Sequence, residues 1–169
     1  MPQTLLAVVA IVIFALFALS QHEATADAER TVITAEVEAA AGRLARQRLA
    51  DVLARAFDEA DLDAVSVRTS PLGLSTLGAD PGEATEALFD DLDDFHARPA
   101  RTVTAPWMDE TLDFTDSVAV RYLDPATLAP VAGPTLMKEV EVTVRAVPAG
   151  FVGTPRIAAV LRQIATPTP

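Results

Sequence analysis

The sequence predicts an α+β protein in which one long N-terminal helix packs on a small antiparallel β-sheet of about three to four strands. Two observations predict this class. A helix-favouring stretch runs from Thr4 to about Ala60 and begins with an apolar segment, whereas apolar and polar residues alternate after Asp116. Between them, the proline- and glycine-rich segment from Ser70 to Gly82 is typical of a loop.

Size and charge restrict the possible functions. A chain of 169 residues is long enough for one domain and an anchor. It carries 24 acidic and 13 basic residues, and Lys138 is its only lysine. The resulting net charge of −11 argues against nucleic acid as a partner, because phosphate binding needs a basic surface. The absence of cysteine excludes disulfides, thiolate metal sites and thiol catalysis.

The N-terminal segment has the composition of a membrane anchor. Leu5 to Leu19 contains no polar side chain, and no charge occurs in residues 1–21. A helix of about 20 residues, rising ~1.5 Å per residue, just crosses a hydrocarbon core of ~30 Å. We therefore predict that residues 1–22 are the transmembrane part of a longer helix. The acidic segment that follows favours an extracytoplasmic domain on a single-pass protein of the inner (cytoplasmic) membrane.

Two other interpretations of this segment remain open. A cleaved signal peptide would end at a site such as Ala24–Ala26 or Ala26–Ala28, but a signal peptide usually has a basic start, and the first base here is Arg30. A buried core helix of a soluble protein has a similar apolar composition. The length of the uncharged run favours the anchor over both.

Residues 23–61 are predicted to continue the same helix as the spine of the domain. Glu23 to Ala60 contains no proline and a single glycine, Gly42. We expect Leu44, Val52 and Phe57 to face the sheet. Apolar residues recur mostly at spacings of three and four, at Ile33, Val37, Ala40, Leu44, Leu49, Val52, Leu53, Ala56, Phe57 and Ala60.

Residues 62–115 are predicted to be a variable loop region with a short helix or strand. Val65 to Thr69 has the composition of a short strand, and the acidic segment from Glu83 to Phe95 that of one short helix.

Residues 116–166 are predicted to form the sheet, and residues 167–169 a tail. The apolar members of two alternating runs are Val118, Val120 and Tyr122 in the first run, and Val140, Val142 and Val144 in the second. Such alternation indicates half-buried antiparallel strands. We expect a turn at Pro148–Pro155 and a last strand at Arg156–Ala165.

Together these features resemble a type IV pilin or pseudopilin, a prepilin-like protein. The resemblance covers nearly the whole chain and implies a membrane helix that continues as the spine of an antiparallel sheet. The segments that carry it are LARQRLADVLARAFDEAD at Leu44–Asp61, LDDFH at Leu92–His96, SVAVRYLD at Ser117–Asp124 and KEVEVTVRAV at Lys138–Val147.

The chain resembles a divergent member of that family. Prepilins carry a short basic leader ending in glycine and a glutamate early in the apolar segment. Here no glycine precedes Gly42, no base precedes Arg30, and no acid occurs from Met1 to His22. We expect a minor or unprocessed relative that lacks the usual leader and the early glutamate.

Acidic clusters are the main candidates for a metal site. Carboxylates at Asp90, Asp91, Asp93 and Asp94, beside His96, have the oxygen ligands that calcium prefers. They lack the spacing of a calcium-binding loop with its distal glutamate, so we interpret them as a solvated acidic surface. The same interpretation applies to a second acidic run, which consists of Asp58, Glu59, Asp61 and Asp63.

No residue pattern indicates catalysis. His22 is interpreted as an interfacial residue at the membrane edge, and Trp107 as a packing residue. Nucleophile-elbow, phosphate-loop and zinc-protease motifs are absent from the sequence. We therefore predict a protein with no catalytic residue, no cofactor and no metal.

The predicted function is structural. The chain is expected to be a membrane-anchored, pilin-like subunit or accessory of a type II secretion or type IV pilus assembly. Its partners would be the lipid bilayer and either other pilin-like helices or the assembly platform. The alternative is a stand-alone, membrane-anchored extracytoplasmic binding domain with no filament role.

Overall fold

A computed structural model describes residues 2–62, 66–107, 110–147 and 157–167 of the chain. It confirms the predicted class, because the C-terminal part of one long helix packs against an antiparallel sheet of five strands. The elements in chain order are α1 (Pro2–Leu53), two short 3-10 helices (Glu59–Asp61 and Asp93–Phe95), β1 (Arg101–Trp107), β2 (Glu110–Leu123), β3 (Pro130–Val131), β4 (Lys138–Ala146) and β5 (Ile157–Ala165).

The sheet has the order β1-β2-β4-β5, with β3 paired to β2. The two predicted alternating runs are neighbours in this sheet, where Val118 pairs with Val142 and Val120 with Val140. All four valines are buried, so their shared face forms the core side, here called the inner face. The opposite face of β2 and β4 carries charged residues, including Arg121, which forms ion pairs with two glutamates of β4.

The sheet begins at Arg101, earlier than the expected start at Asp116. Two physical reasons explain the difference. Pro106 lies inside β1, and proline is tolerated there because β1 is an edge strand. In β2, Leu112 and Phe114 continue the buried alternation, but the polar Asp116 occupies the next inner position and interrupts the apolar pattern.

The chain divides into two compact units between Glu38 and Ala39, within α1. In the first unit, the apolar side chains of the run from Leu5 to Leu19 are exposed, with Phe14 at 72%. The helix is long and apolar enough for a single membrane span, and a signal sequence has the same features. An apolar surface of this extent needs a lipid or protein environment.

In the second unit, the C-terminal part of α1 forms part of the core. Ala41, Ala45, Leu49 and Val52 are buried at spacings of three and four. Leu44, which we expected to face the sheet, is only half-buried. The buried stripe therefore passes through Ala41 and Ala45, whose small side chains allow close packing.

The helix ends at Leu53 and not near Ala60, as the composition predicted. The backbone N–H of Ala56 donates to the Asp90 carbonyl at 3.0 Å, and the N–H of Leu92 donates to the Ala56 carbonyl at 3.0 Å. This pairing with a distant segment replaces the next intrahelical hydrogen bonds. Local helix propensity, worth only tenths of a kcal/mol per residue, does not prevent it.

The region predicted as a variable loop contributes directly to the core. The segment from Glu83 to Phe95 is not a helix, apart from the 3-10 turn at its end. It buries Phe89, Leu92 and Phe95, and the two phenylalanine rings pack edge to face at 5.0 Å. Of the short strand predicted at Val65–Thr69, residues 66–69 are described and do not form a strand, and Val65 lies outside the described residues. The turn expected at Pro148–Pro155 also lies outside the described residues.

Phe57 remains a core residue, although it follows the helix instead of lying on it; its side chain is 6% exposed. We expect Phe57→Ala to lower the free energy of unfolding by ~3–5 kcal/mol, because it leaves a cavity under the sheet. Urea unfolding of the chain without residues 1–22 measures this loss. Leu72→Ala is the control, because Leu72 is 85% exposed, and it should cost less than ~0.5 kcal/mol. Equal losses for the two variants would mean that Phe57 contributes no core packing.

Candidate functional site

Four of the eight acidic residues predicted to form a solvated surface are buried. The interpretation was wrong for Asp58, Asp91, Asp93 and Asp94, each at most 3% exposed, whereas Asp90 is half-buried. Burying a carboxylate is costly unless it is paired or hydrogen-bonded. The partners of these side chains therefore define the site.

The counter-charge is Lys138, the only lysine of the chain, which lies completely buried at the start of β4. Its Nζ donates to Asp93 Oδ1 and to the Phe57 carbonyl, both at 2.5 Å, and lies 3.7 Å from Asp58 Oδ2. The ammonium also lies over the rings of Phe57 and Tyr122, 4.6 and 5.3 Å from their centroids. The ammonium of Lys138 and the carboxylate of Asp93 thus compensate each other's charge inside the core.

Ser75 lies in the loop from Ser70 to Gly82 and links this loop to the carboxylates of Asp58 and Asp93. Its backbone N–H and its hydroxyl lie 2.9 Å from Asp58 Oδ2, and the hydroxyl also contacts Asp93. The Tyr122 hydroxyl donates to the Ser75 carbonyl at 3.0 Å. Gly78, at φ +128°, donates its N–H to the Asp93 carbonyl at 3.1 Å, in a conformation that favours glycine. The cluster therefore joins four segments: the end of the spine, this loop, the acidic segment and the sheet.

Asp91 and Asp94 are satisfied mainly by backbone amides of their own segment. Asp91 Oδ1 accepts from the N–H groups of Asp93 and Asp94, and Asp94 Oδ2 accepts from those of Asp90 and Asp91. Burial, followed by the negative charge of Asp93, raises the pKa of the Asp91 carboxyl to about 8. Asp91 is therefore largely neutral at pH 7, which reduces the negative charge that the single ammonium must balance.

A second carboxylate group lies nearer the surface. Oxygens of Glu59, Glu83 and Asp90 lie within 4.8 Å of one another. Contact with the Asp94 carboxyl raises the pKa of Glu83 to about 7, and contact with the Asp90 carboxyl raises the pKa of Glu59. These oxygens are the ligand type that hard cations prefer, and the neighbouring carboxyl groups favour the protonated forms of Glu59 and Glu83.

A separate cluster of charges lies at the other end of the inner face. Arg48 of α1, only 6% exposed, binds both carboxylate oxygens of Glu86, and its Nε lies 3.7 Å from Asp116 Oδ1. Arg101 donates to Asp116 Oδ2 at 2.7 Å and to Glu86 at 3.3 Å. These two arginines and two acids join the helix to β1 and β2 without leaving a net charge.

The surface next to this arginine cluster is concave. A cavity of about 400 Å³ is lined by Arg48, Asp51, Ala54, Arg55, Glu86, Phe95 and Arg101. Arg55 forms no ion pair within the part of the chain that the structure describes. The cavity therefore presents one guanidinium without a carboxylate partner to solvent.

The remaining predicted residues do not join either cluster. His96 Nδ1 contacts the Val120 carbonyl at 2.7 Å, and His22 is exposed on α1. Asp61 pairs with Arg68 at 2.8 Å. Asp63 lies outside the described residues, as does the side chain of Trp107, whose backbone belongs to β1.

Sequence reasoning missed the basic residue that organises the acidic cluster, although a signal for it exists. Lys138 is in phase with the buried valines of β4, just as Asp116 is in phase with those of β2. A charge at an apolar position of a strand indicates a buried partner. No comparable signal identifies Ser75, because its role depends on a loop that folds against the cluster.

Comparisons with known proteins reveal no relative: no family model, no curated protein and no solved structure matches this chain. The likeness to pilins therefore rests on architecture, namely a long apolar N-terminal helix packed on an antiparallel sheet. Any functional assignment must come from the geometry itself.

Removing the ammonium leaves two buried carboxylates without their counter-charge. We expect Lys138→Met to lower the free energy of unfolding by ~3–5 kcal/mol. Arg162→Met is the control, because Arg162 forms an exposed ion pair with Glu141, and it should cost less than ~1 kcal/mol. Denaturant titration at pH 7 compares the two losses. A Lys138→Met loss as small as that of the control would show that the buried pair contributes little to stability.

Asp91 should make stability pH-dependent. In the unfolded chain an aspartate carboxyl titrates at pH ~4, whereas the Asp91 carboxyl of the native protein has a pKa of about 8. The free energy of unfolding should therefore fall as pH rises through this window and level off above it. Asp91→Asn retains the Oδ1 acceptor and removes the titration. At pH 8 it should be more stable than the wild type by about 2 kcal/mol or more, and the difference should disappear near pH 4.

Denaturant unfolding at several pH values measures this effect. Asp124→Asn is the control, since backbone N–H groups of Thr127 and Ala126 lower the pKa of Asp124. Asp124→Asn should be less stable than the wild type at neutral pH, and this difference should disappear as the pH falls through the acidic range, because only the ionised carboxylate gains from these N–H groups. An Asp91→Asn profile parallel to that of the wild type from pH 4 to 8 would contradict the assignment.

Proposed function

We propose that this protein is a non-enzymatic, membrane-anchored, pilin-like subunit or accessory of a secretion or surface-filament assembly. In this role the apolar part of α1 lies in the inner membrane, beside the helices of other subunits. The folded domain lies on the extracytoplasmic side. Its partners are the bilayer and either pilin-like helices or an assembly platform.

The continuity of α1 is the observation that carries the proposal. The helix extends from Pro2 to Leu53, so the exposed apolar run and the buried residues of the domain belong to one element. A protein that only needs a tether usually has a flexible linker rich in glycine, serine or proline. A helix that serves both as anchor and as core element is suited to an assembly in which neighbouring helices pack side by side.

A stand-alone anchored binding domain is the second candidate. The cavity that Arg55 lines favours it, because this guanidinium has no ion-pair partner among the described residues and guanidinium groups bind anionic ligands. The absence of an acid within Leu5–Leu19 also favours it, since subunits of this kind usually carry a glutamate there. The two candidates differ in whether the apolar run touches other helices.

Crosslinking within the bilayer distinguishes the two candidates. The chain has no cysteine, so single cysteines can be placed at each position from Leu5 to Leu19 of the full-length protein. In an assembly subunit, crosslinking in native membranes should peak with a period of ~3.6 residues, to itself or to a pilin-like partner. The cysteine-free parent is the control.

Two results would reject the proposal. A flat crosslinking profile along the run would indicate contact with lipid alone and favour the binding domain. A mature N-terminus at Thr25, Asp27 or Glu29, found by mass spectrometry, would identify the run as a cleaved signal peptide. Retention of the run in the membrane fraction, together with a periodic profile, is the expected outcome.

A further inference from the structure

The buried lysine is chemically unusual for this chain. Lys138 is the only lysine among 13 basic residues, and all the others are arginine. An arginine would form a stronger, two-pronged ion pair with a carboxylate, but its guanidinium stays charged and does not act as a nucleophile. A lysine amine becomes a nucleophile when an apolar pocket removes its solvation. The base that holds the acidic cluster together is therefore the one among the 13 that can form a covalent bond.

The side chains of Lys138 and Asp93 are close enough to react. Nζ lies 2.5 Å from Asp93 Oδ1, and both side chains are at most 2% exposed. The rings of Phe57 and Tyr122 flank the amine, with their centroids 4.6 and 5.3 Å from Nζ. Since so dry a site offers the two charges little solvation, a proton can pass along the contact and leave an amine beside a carboxylic acid. These are the two groups that condense to an amide.

Asp58 and Ser75 complete a ring of contacts around this pair. Asp58 Oδ2 lies 3.7 Å from the Lys138 amine and 2.9 Å from the Ser75 hydroxyl. The same hydroxyl contacts Asp93 Oδ2, the carboxyl oxygen that the amine does not contact. Because a hydroxyl has one hydrogen, both of its contacts are hydrogen bonds only when one of the two carboxyls carries a proton. The ring therefore provides a path for a proton from the amine to Asp93.

We propose that Lys138 and Asp93 form an intramolecular amide bond, with Asp58 as the group that transfers the proton. Nζ attacks Asp93 Cγ, a C–N bond forms, and one C–O bond of the carboxyl breaks. Nζ loses two hydrogens, one directly to Asp93 and one through Asp58 and Ser75. Both end on the departing oxygen, which leaves as water. The reaction needs no oxidant, reductant or second substrate, and the ion pair described above is the state from which it starts.

The amide retains the contacts of the ion pair and makes one of them permanent. Its remaining N–H donates to the Phe57 carbonyl, which lies 2.5 Å from Nζ. The bond joins the acidic segment to the start of β4 across 45 positions, which include β1, β2 and β3. All the reacting groups lie in the second compact unit, so the inference does not rest on the proposed function.

Mass spectrometry of the full-length wild-type protein tests the bond. The chain should be lighter than its unlinked form by one water molecule. Trypsin should cut after Arg145 but not after Lys138, and the digest should contain one branched peptide that joins the segments of Asp93 and Lys138. Lys138→Arg retains the charge without the reactive amine, so it should show the full mass and no branched peptide. A wild-type chain of full mass that gives separate peptides would overturn the proposal, whatever the variants do.

Two variants test the proton path through the rate at which the branched peptide appears after synthesis. Asp58→Asn keeps the size of the side chain but takes up no proton, and it should slow the reaction at least roughly hundredfold. Ser75→Ala removes the relay and leaves both reacting groups, and it should slow the reaction at least roughly tenfold. Asp80→Asn, at an exposed position of the same loop, is the control and should react at the wild-type rate.

Circular dichroism verifies that each variant is folded, and if one of them is not, the other decides the proton path. A folded Asp58→Asn variant that links as fast as the wild type would contradict the role of Asp58. The mass of the wild type decides the bond itself in every case. Crosslinking through the apolar run bears on the assembly function alone, so the two proposals fail separately.

Discussion

The fold of the domain depends on one buried ammonium group. Lys138 holds Asp93, Asp58 and the Phe57 carbonyl at a point where the spine, a loop, the acidic segment and the sheet meet. Without this counter-charge the acidic segment would be driven towards water, because a buried unpaired carboxylate is strongly unfavourable. With it, the same segment can bury three large apolar side chains in the core.

A second cluster of charges fixes the opposite end of the inner face. Arg48 and Arg101, with Glu86 and Asp116, join the C-terminal part of α1 to the first two strands. The valines between the two clusters supply non-directional burial, whereas the charged groups supply directional contacts that specify one arrangement of helix and sheet.

The candidate site was only partly predictable. The acidic residues at 58 and 90–94 stand out in the sequence, but their burial does not, because acidic runs are usually solvated. Lys138 could have been recognised as a charge in phase with the buried valines of β4. Ser75 could not, since its contact with Asp58 spans 17 positions and depends on the path of a loop.

The sequence by itself determined the apolar run, the α+β class and the inner face of β2 and β4, because each follows from local composition or periodicity. Only the tertiary structure decided that α1 ends at Leu53, that a strand begins at Arg101 and that the acidic segment is buried. These features depend on contacts between residues far apart in the chain. The backbone pairing of Ala56 with Asp90 and Leu92, and the ion pair between Asp93 and Lys138, outweigh the local preferences of the segments that they join.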